Sequence, residues 1–176
     1  VSENIQLPLR RHTRLKHSTI EVMTRIKLEL VNLAGFGDLM PAELSGGMVK
    51  RAAFARAIVM DPRLLFFDEP SAGLDPVTSA ELDQLILKLK AVTGVTIVIV
   101  THELDSAFKI ADRIAVLGQG RVLEVGTVEQ IRASTHPDIR NMLSRTPRTE
   151  APDHDEYLER LTSFAVPRRR FLGRRR

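Results

Sequence analysis

Two short apolar runs, LLFF at 64–67 and VTIVIV at 95–100, constrain the fold more than any other feature of the chain. Each is too short for a helix and lacks polar alternation, which predicts strands buried on both faces. Between them a helix is expected from Val77 to about Ala91, closing through Gly94. Strand, helix, strand is a βαβ unit, so the two strands must be parallel and joined by a right-handed crossover. The fold class is therefore α/β.

The flanking segments extend this frame. Ser18 and Glu21 have capping-box spacing, Ile20, Met23, Ile26, Leu30 and Leu33 keep helical spacing, and Gly35 offers a C-cap, so a helix is expected to end near Leu33. The residues before it, VSENIQLPLRRHT, form a polar, proline-interrupted strip that predicts neither a capped helix nor a strand and reads as the middle of a larger unit. An alanine-rich helix is expected from Ser45 to about Met60, bounded by Asp61-Pro62. After VTIVIV come a helix from Leu104 to about Ala111, two strands around the Gly-Gln-Gly turn of RIAVLGQGRVLEVG, and short helices at Val128–Ala133 and Pro137–Leu143. Beyond Arg145 proline and charge dominate, with a further helix expected near Tyr157 to Phe164.

Length and composition bound the rest. The chain's 176 residues suit one ordinary domain or an incomplete larger one. With no cysteine, disulfides and thiolate metal sites are excluded. No stretch reaches the roughly 20 apolar residues that span a bilayer, and the N-terminus has no secretory pattern, so a cytoplasmic location is expected. A net charge of +4 is compatible with a nucleic-acid partner. However, six of the 26 basic residues lie in PRRRFLGRRR at 167–176, which leaves 20 against 22 acids. The basicity belongs to the tail, which is expected to be solvated.

Four groups of residues can carry chemistry. Asp68 and Glu69 follow the first strand, at the edge where open α/β sheets bind ligands. Asp68 is placed to hold Mg²⁺ through water, and Glu69 to polarise a water for attack on a phosphate; the alternative is an acidic helix N-terminus. Ser45, Gly46 and Gly47 open a helix whose unpaired N–H groups favour an anion, or else Ser45 only caps it and the glycines make the turn. His102, just past the second strand, can bond a γ-phosphate or orient the water, or can be a plain strand-end residue. Asp75, in SAGLD, by itself reads as a turn residue.

Taken together and in order, LSGGM, LLFFDE, SAGLD and TH resemble the nucleotide-binding subunits of ABC transporters. The resemblance implies a partial RecA-like P-loop NTPase sheet with parallel strands flanked by helices. On it, residues 1–60 are the ABC helical subdomain, 61–145 the C-terminal part of the ATPase core, and 146–176 a basic tail. It makes Leu44 to Met48 the signature motif, Leu64 to Glu69 the Walker B strand, Ser71 to Asp75 the D-loop and His102 the switch histidine. It implies Glu69 and His102 as catalytic residues, Ser45, Gly46, Gly47 and Asp75 as nucleotide-binding, and Asp68 for Mg²⁺. Met48 in place of the usual glutamine, LPLRRHT and THELDSAFKIADR resemble the branch serving Mce-type lipid trafficking. No G-x-x-x-x-G-K-[ST] occurs in the chain, and no Q-loop glutamine precedes the helical region. The chain alone is therefore expected to be a poor ATPase and to derive from a truncated gene or a fragment. The family implies a head-to-tail dimer in which Ser45, Gly46 and Gly47 meet ATP held by the partner, while Asp68, Glu69 and His102 serve the subunit's own. It also implies a transmembrane permease, an Mce-type lipid-binding protein and a peripheral place on the inner face of the membrane. A soluble ABC-type ATPase acting on nucleic acid, or a non-catalytic fragment, are the competing expectations. The first should show coiled coils or a duplicated cassette, and the chain has neither.

Overall fold

The computed structural model describes residues 1–145. The arginine-rich tail and the helix expected at Tyr157 to Phe164 lie outside the described residues. In chain order the elements are α1 (Ser2–His12), α2 (His17–Leu30), a 3-10 turn (Pro41–Glu43), α3 (Gly46–Ile58), β1 (Leu64–Asp68), α4 (Pro76–Thr93), β2 (Thr96–Val100), α5 (Leu104–Ile110), β3 (Ile114–Gly118), β4 (Arg121–Gly126), α6 (Val128–Arg132) and α7 (Pro137–Leu143).

β1 and β2 pair in parallel from Leu64↔Thr96 to Asp68↔Val100, as the βαβ pattern predicts. Their burial departs from the expectation. Leu65 and Phe67 face the core, whereas Leu64, Phe66, Val98 and Val100 are exposed, Phe66 at 71%. An apolar run records what a strand can bury, and among the described residues this two-stranded sheet is covered on one face only. β3 and β4 form a separate antiparallel pair with a bulge between Val116 and Leu117. The turn expected there is present, with Gln119 and Gly120 both at positive φ.

The N-terminal strip is a helix after all. Ile5 and Leu9, four residues apart, are each 1% exposed, and this buried stripe outweighs the bond and the clash that Pro8 costs inside α1. α2 also differs from its predicted limits. Its N-cap is Lys16 with no side-chain bond, so the Ser18–Glu21 box does not form. It ends at Leu30 because Asn32 takes a left-handed φ of 58°. The Leu33 amide then donates to Leu28 O at 2.8 Å and the Asn32 amide to Glu29 O at 3.0 Å, a Schellman closure that leaves Gly35 beyond the helix.

One core joins α1, α2 and α3 to the buried face of β1 and to α4, with Phe54 of α3 stacked on Phe67 of β1 at a centroid distance of 4.2 Å. Such a pair adds about 1 kcal/mol beyond its buried area. A second small core, Val116, Ile131 and Ile139, lies under β3, α6 and α7. Asp83, buried on α4, accepts from Ser106 Oγ and, at 3.3 Å, from Lys109 Nζ. This anchor ties α5, and with it the end of the loop after β2, to α4.

Candidate active site

The parallel register puts Asp68 opposite Val100, so the residues leaving β1 and β2 emerge side by side. Glu69 turns away from the strand with a φ of 45°, a left-handed conformation that a non-glycine residue adopts only when held there. Its amide donates to Val100 O at 2.8 Å. Both of its carboxylate oxygens are gripped by the two residues that follow β2. Oε1 accepts from the His102 amide at 3.1 Å and lies 2.8 Å from His102 Nδ1, while Oε2 accepts from Thr101 Oγ1 at 3.2 Å. The hydrogen bond from the His102 side chain is the largest influence on the Glu69 carboxyl; against the opposing effect of desolvation it holds the group below its ordinary value of 4.5, helped by the charge of His102, the Thr101 hydroxyl and the His102 amide. Reciprocally, Glu69 raises the His102 imidazole above 6.5. Glu69 is therefore ionised at neutral pH and cannot donate, which requires the proton on His102 Nδ1. The imidazole is 75% exposed, and among the described residues the one ion-pair partner of its Nε2 is Glu103 Oε1, at 4.0 Å.

Asp68 is exposed, and among the described residues its carboxylate has no hydrogen bond or ion pair. No cluster of three or more His, Cys, Asp or Glu residues able to hold a metal occurs among them. This donor set fits Mg²⁺, which is commonly held by one or two carboxylates with water and substrate phosphates rather than by a protein cage.

Ser45 caps α3, its Oγ accepting from the Met48 amide at 3.3 Å. The hydroxyl proton stays free to donate to an anion. Gly46 is exposed and Gly47 buried, and they differ sharply in the space around them. A Cβ on Gly47 would come within 2.6 Å of Thr78 Cγ2, whereas one on Gly46 would meet only Leu74 Cδ2, at 3.7 Å. Gly47 thus allows α3 to approach the start of α4 closely. Asp75 caps α4, accepting from the Val77 and Thr78 amides at 3.0 and 3.1 Å and from the Thr78 hydroxyl. Those bonds, Thr78 first, hold its carboxyl below 3.8.

The expected site residues therefore fall into two groups. Asp68, Glu69 and His102 gather where β1 and β2 end; Ser45, Gly46 and Gly47 gather against Leu74 and Thr78, beside Asp75. No described hydrogen bond or ion pair joins the groups. Thr101 was not among the residues the sequence singled out, because a βαβ unit implies parallel strands but not the register, Asp68 opposite Val100, that brings residue 101 beside residue 69. Sequence reasoning also missed Thr78, whose signal was its place three residues after a capping aspartate.

Residues 2–72 match the ABC transporter family. The intermembrane phospholipid transport system ATP-binding protein MlaF of Escherichia coli K12 is 41% identical over 143 residues, covering 81% of this chain and 53% of that protein. The probable ribonucleotide transport ATP-binding protein mkl of Mycobacterium tuberculosis is 42% identical over 142 residues, covering 81% of this chain and 40% of that one. The chain thus spans about half the length of the relatives it matches. Among solved structures, the ATP-binding cassette MJ0796, a dimer bound to ADP and Pi, is similar with a TM-score of 0.62 and 32% identity, covering 72% of this chain and 56% of that one.

Proposed function

We propose, since this chain belongs to the ABC transporter family of ATP-binding proteins, that it supplies the water-activating half of an ATPase site that powers a membrane permease. The observation that carries this reading is the Glu69 carboxylate, fixed beside a free Asp68 at the paired ends of β1 and β2. Glu69 is the general base: ionised at neutral pH, it keeps an acceptor position toward a water aligned with the terminal phosphate. His102 holds Oε1 and presents its exposed Nε2 edge to the phosphate. Asp68 holds Mg²⁺ through water, and the ion when bound supplies positive charge to the phosphate oxygens.

Ser45, Gly46 and Gly47 bind the phosphates of ATP held by a second subunit, in a head-to-tail dimer. The separation of the site residues into two groups supports this assignment. Asp75, engaged as the cap of α4, sets the spacing between the groups. Residues 1–60 pass the dimer's motion to the permease. The cargo is a lipid, a reading that rests on the likeness to MlaF and on the sequence around Met48, and an Mce-type protein is the lipid-binding partner. The subunit sits peripherally on the inner face of the membrane, a placement that rests on the likeness to MlaF. No helix among the described residues is long and apolar enough to cross a membrane.

The test uses a subunit that carries this chain together with a lysine loop. Glu69→Gln should lower hydrolysis by about 10²- to 10⁴-fold while ATP binding is kept. This chain by itself should hydrolyse no faster than that variant. Near-normal turnover by Glu69→Gln would refute the assignment of the base.

A further inference from the structure

Thr101 is half-buried at the exit of β2, and its hydroxyl has two neighbours with complementary demands. The Glu103 amide donates to Oγ1 at 3.1 Å, which leaves the hydroxyl proton to be donated to Glu69 Oε2 at 3.2 Å. All other holds on the Glu69 side chain are on Oε1, from the His102 amide and ring. An ionised carboxylate offers about four acceptor positions, and three are filled here. The one left is on Oε2, the oxygen whose direction Thr101 sets. Among the described residues, the charged groups that ion pairs place about this carboxylate are His102 and, beyond the ring, Glu103; Asp68 precedes it at the end of β1. Thr101 is the only neutral hydroxyl among its partners in the described residues.

We propose that Thr101 is a positioning residue: its hydroxyl fixes the rotamer of the Glu69 side chain, and with it the direction of the carboxylate, so that the free acceptor on Oε2 points where the attacking water must sit. This inference rests on the reading of Glu69 as the base and adds a second protein group to it. Thr101 acts through Glu69, the group its hydroxyl holds. The competing role is a local one, in which Thr101 only caps the turn through the Glu103 amide.

Two measurements separate these roles, each made on wild type, Thr101→Val and Thr101→Ser. In the chain as it stands, three-bond NMR couplings report the Glu69 side-chain rotamers at a single pH. A single rotamer is expected in wild type and Ser, and averaged couplings in Val. Loss of exchange protection at the Glu103 amide with an unchanged Glu69 rotamer would show the capping role alone and overturn the proposal. In a subunit that also carries a lysine loop, Thr101→Val should lower kcat about tenfold with KM for ATP unchanged, because a misdirected base costs the chemical step and not binding. Ser should restore it. If Glu69→Gln is inactive but Thr101→Val turns over like wild type, the positioning role fails and the base assignment stands. If Glu69→Gln is itself active, the failure lies in the proposed function.

Discussion

A carboxylate and an imidazole 2.8 Å apart leave a pH signature whose sign follows from the two shifts. Glu69 is depressed below 4.5, so its contribution to stability is present above that value and is lost as pH falls through its lower folded value. His102 is raised above 6.5, so its contribution is complete below that value and is lost as pH rises through its higher folded value. The pair therefore stabilises most between 4.5 and 6.5. His102→Ala should lower the thermal midpoint most inside this window. Toward alkaline pH the difference should shrink to what a neutral imidazole N–H contributes. Thermal melts of both proteins across the pH range test this, and a difference that stays flat would show that the ion pair does not form in solution. The same pair explains how a non-glycine residue keeps a φ of 45°: the backbone conformation is paid for by the bonds from Val100, Thr101 and His102.

At the scale of elements, the junction of α3 with α4 sets two effects against each other. Gly47→Ala would gain about 1 kcal/mol of helix propensity. It would also drive a methyl to 2.6 Å from Thr78 Cγ2, and Thr78 cannot rotate away without breaking its hydroxyl bond to Asp75. Overpacking of this kind costs about 1–3 kcal/mol, so the net change should be destabilising. Thr78→Ser removes the obstructing methyl and keeps the hydroxyl. In that background Gly47→Ala should be neutral or stabilising, as read from denaturant midpoints. Equal destabilisation in both backgrounds would mean that the glycine is needed for something other than this approach. The sequence located the Gly46-Gly47 pair but could not separate its members, because the clash depends on an element thirty residues away. The α1 helix was illegible for a related reason: Pro8 is a strong local signal against a helix, and only tertiary burial of Ile5 and Leu9 overrides it. The βαβ unit was legible because length, apolar run and Gly94 at a φ of 65° all agree locally. Strand burial was not, since composition does not say which face another element covers.

Across the whole molecule, the two groups of site residues sit on different elements but share α4. Its N-terminus carries Asp75 and receives Gly47, and its Asp83 holds α5 behind the His102 loop. One helix thus connects the group assigned to a partner's nucleotide with the group assigned to the subunit's own. The head-to-tail arrangement has a direct test because Gly46, unlike Gly47, has room. A Cβ there meets only Leu74 Cδ2 at ordinary contact distance, and no positive φ is required of it. Gly46→Asp should therefore fold with a near-normal thermal midpoint, so that any functional defect is electrostatic. A carboxylate at this position would face the γ-phosphate held by the partner, and like-charge repulsion should oppose closure of the dimer. In a mixed dimer of lysine-loop-bearing subunits with one Gly46→Asp copy, nucleotide trapping should fail at the site whose lysine loop belongs to the wild-type subunit. Failure at the mutant subunit's own lysine loop would place signature and loop in one subunit, and the two groups would then have to converge on one nucleotide.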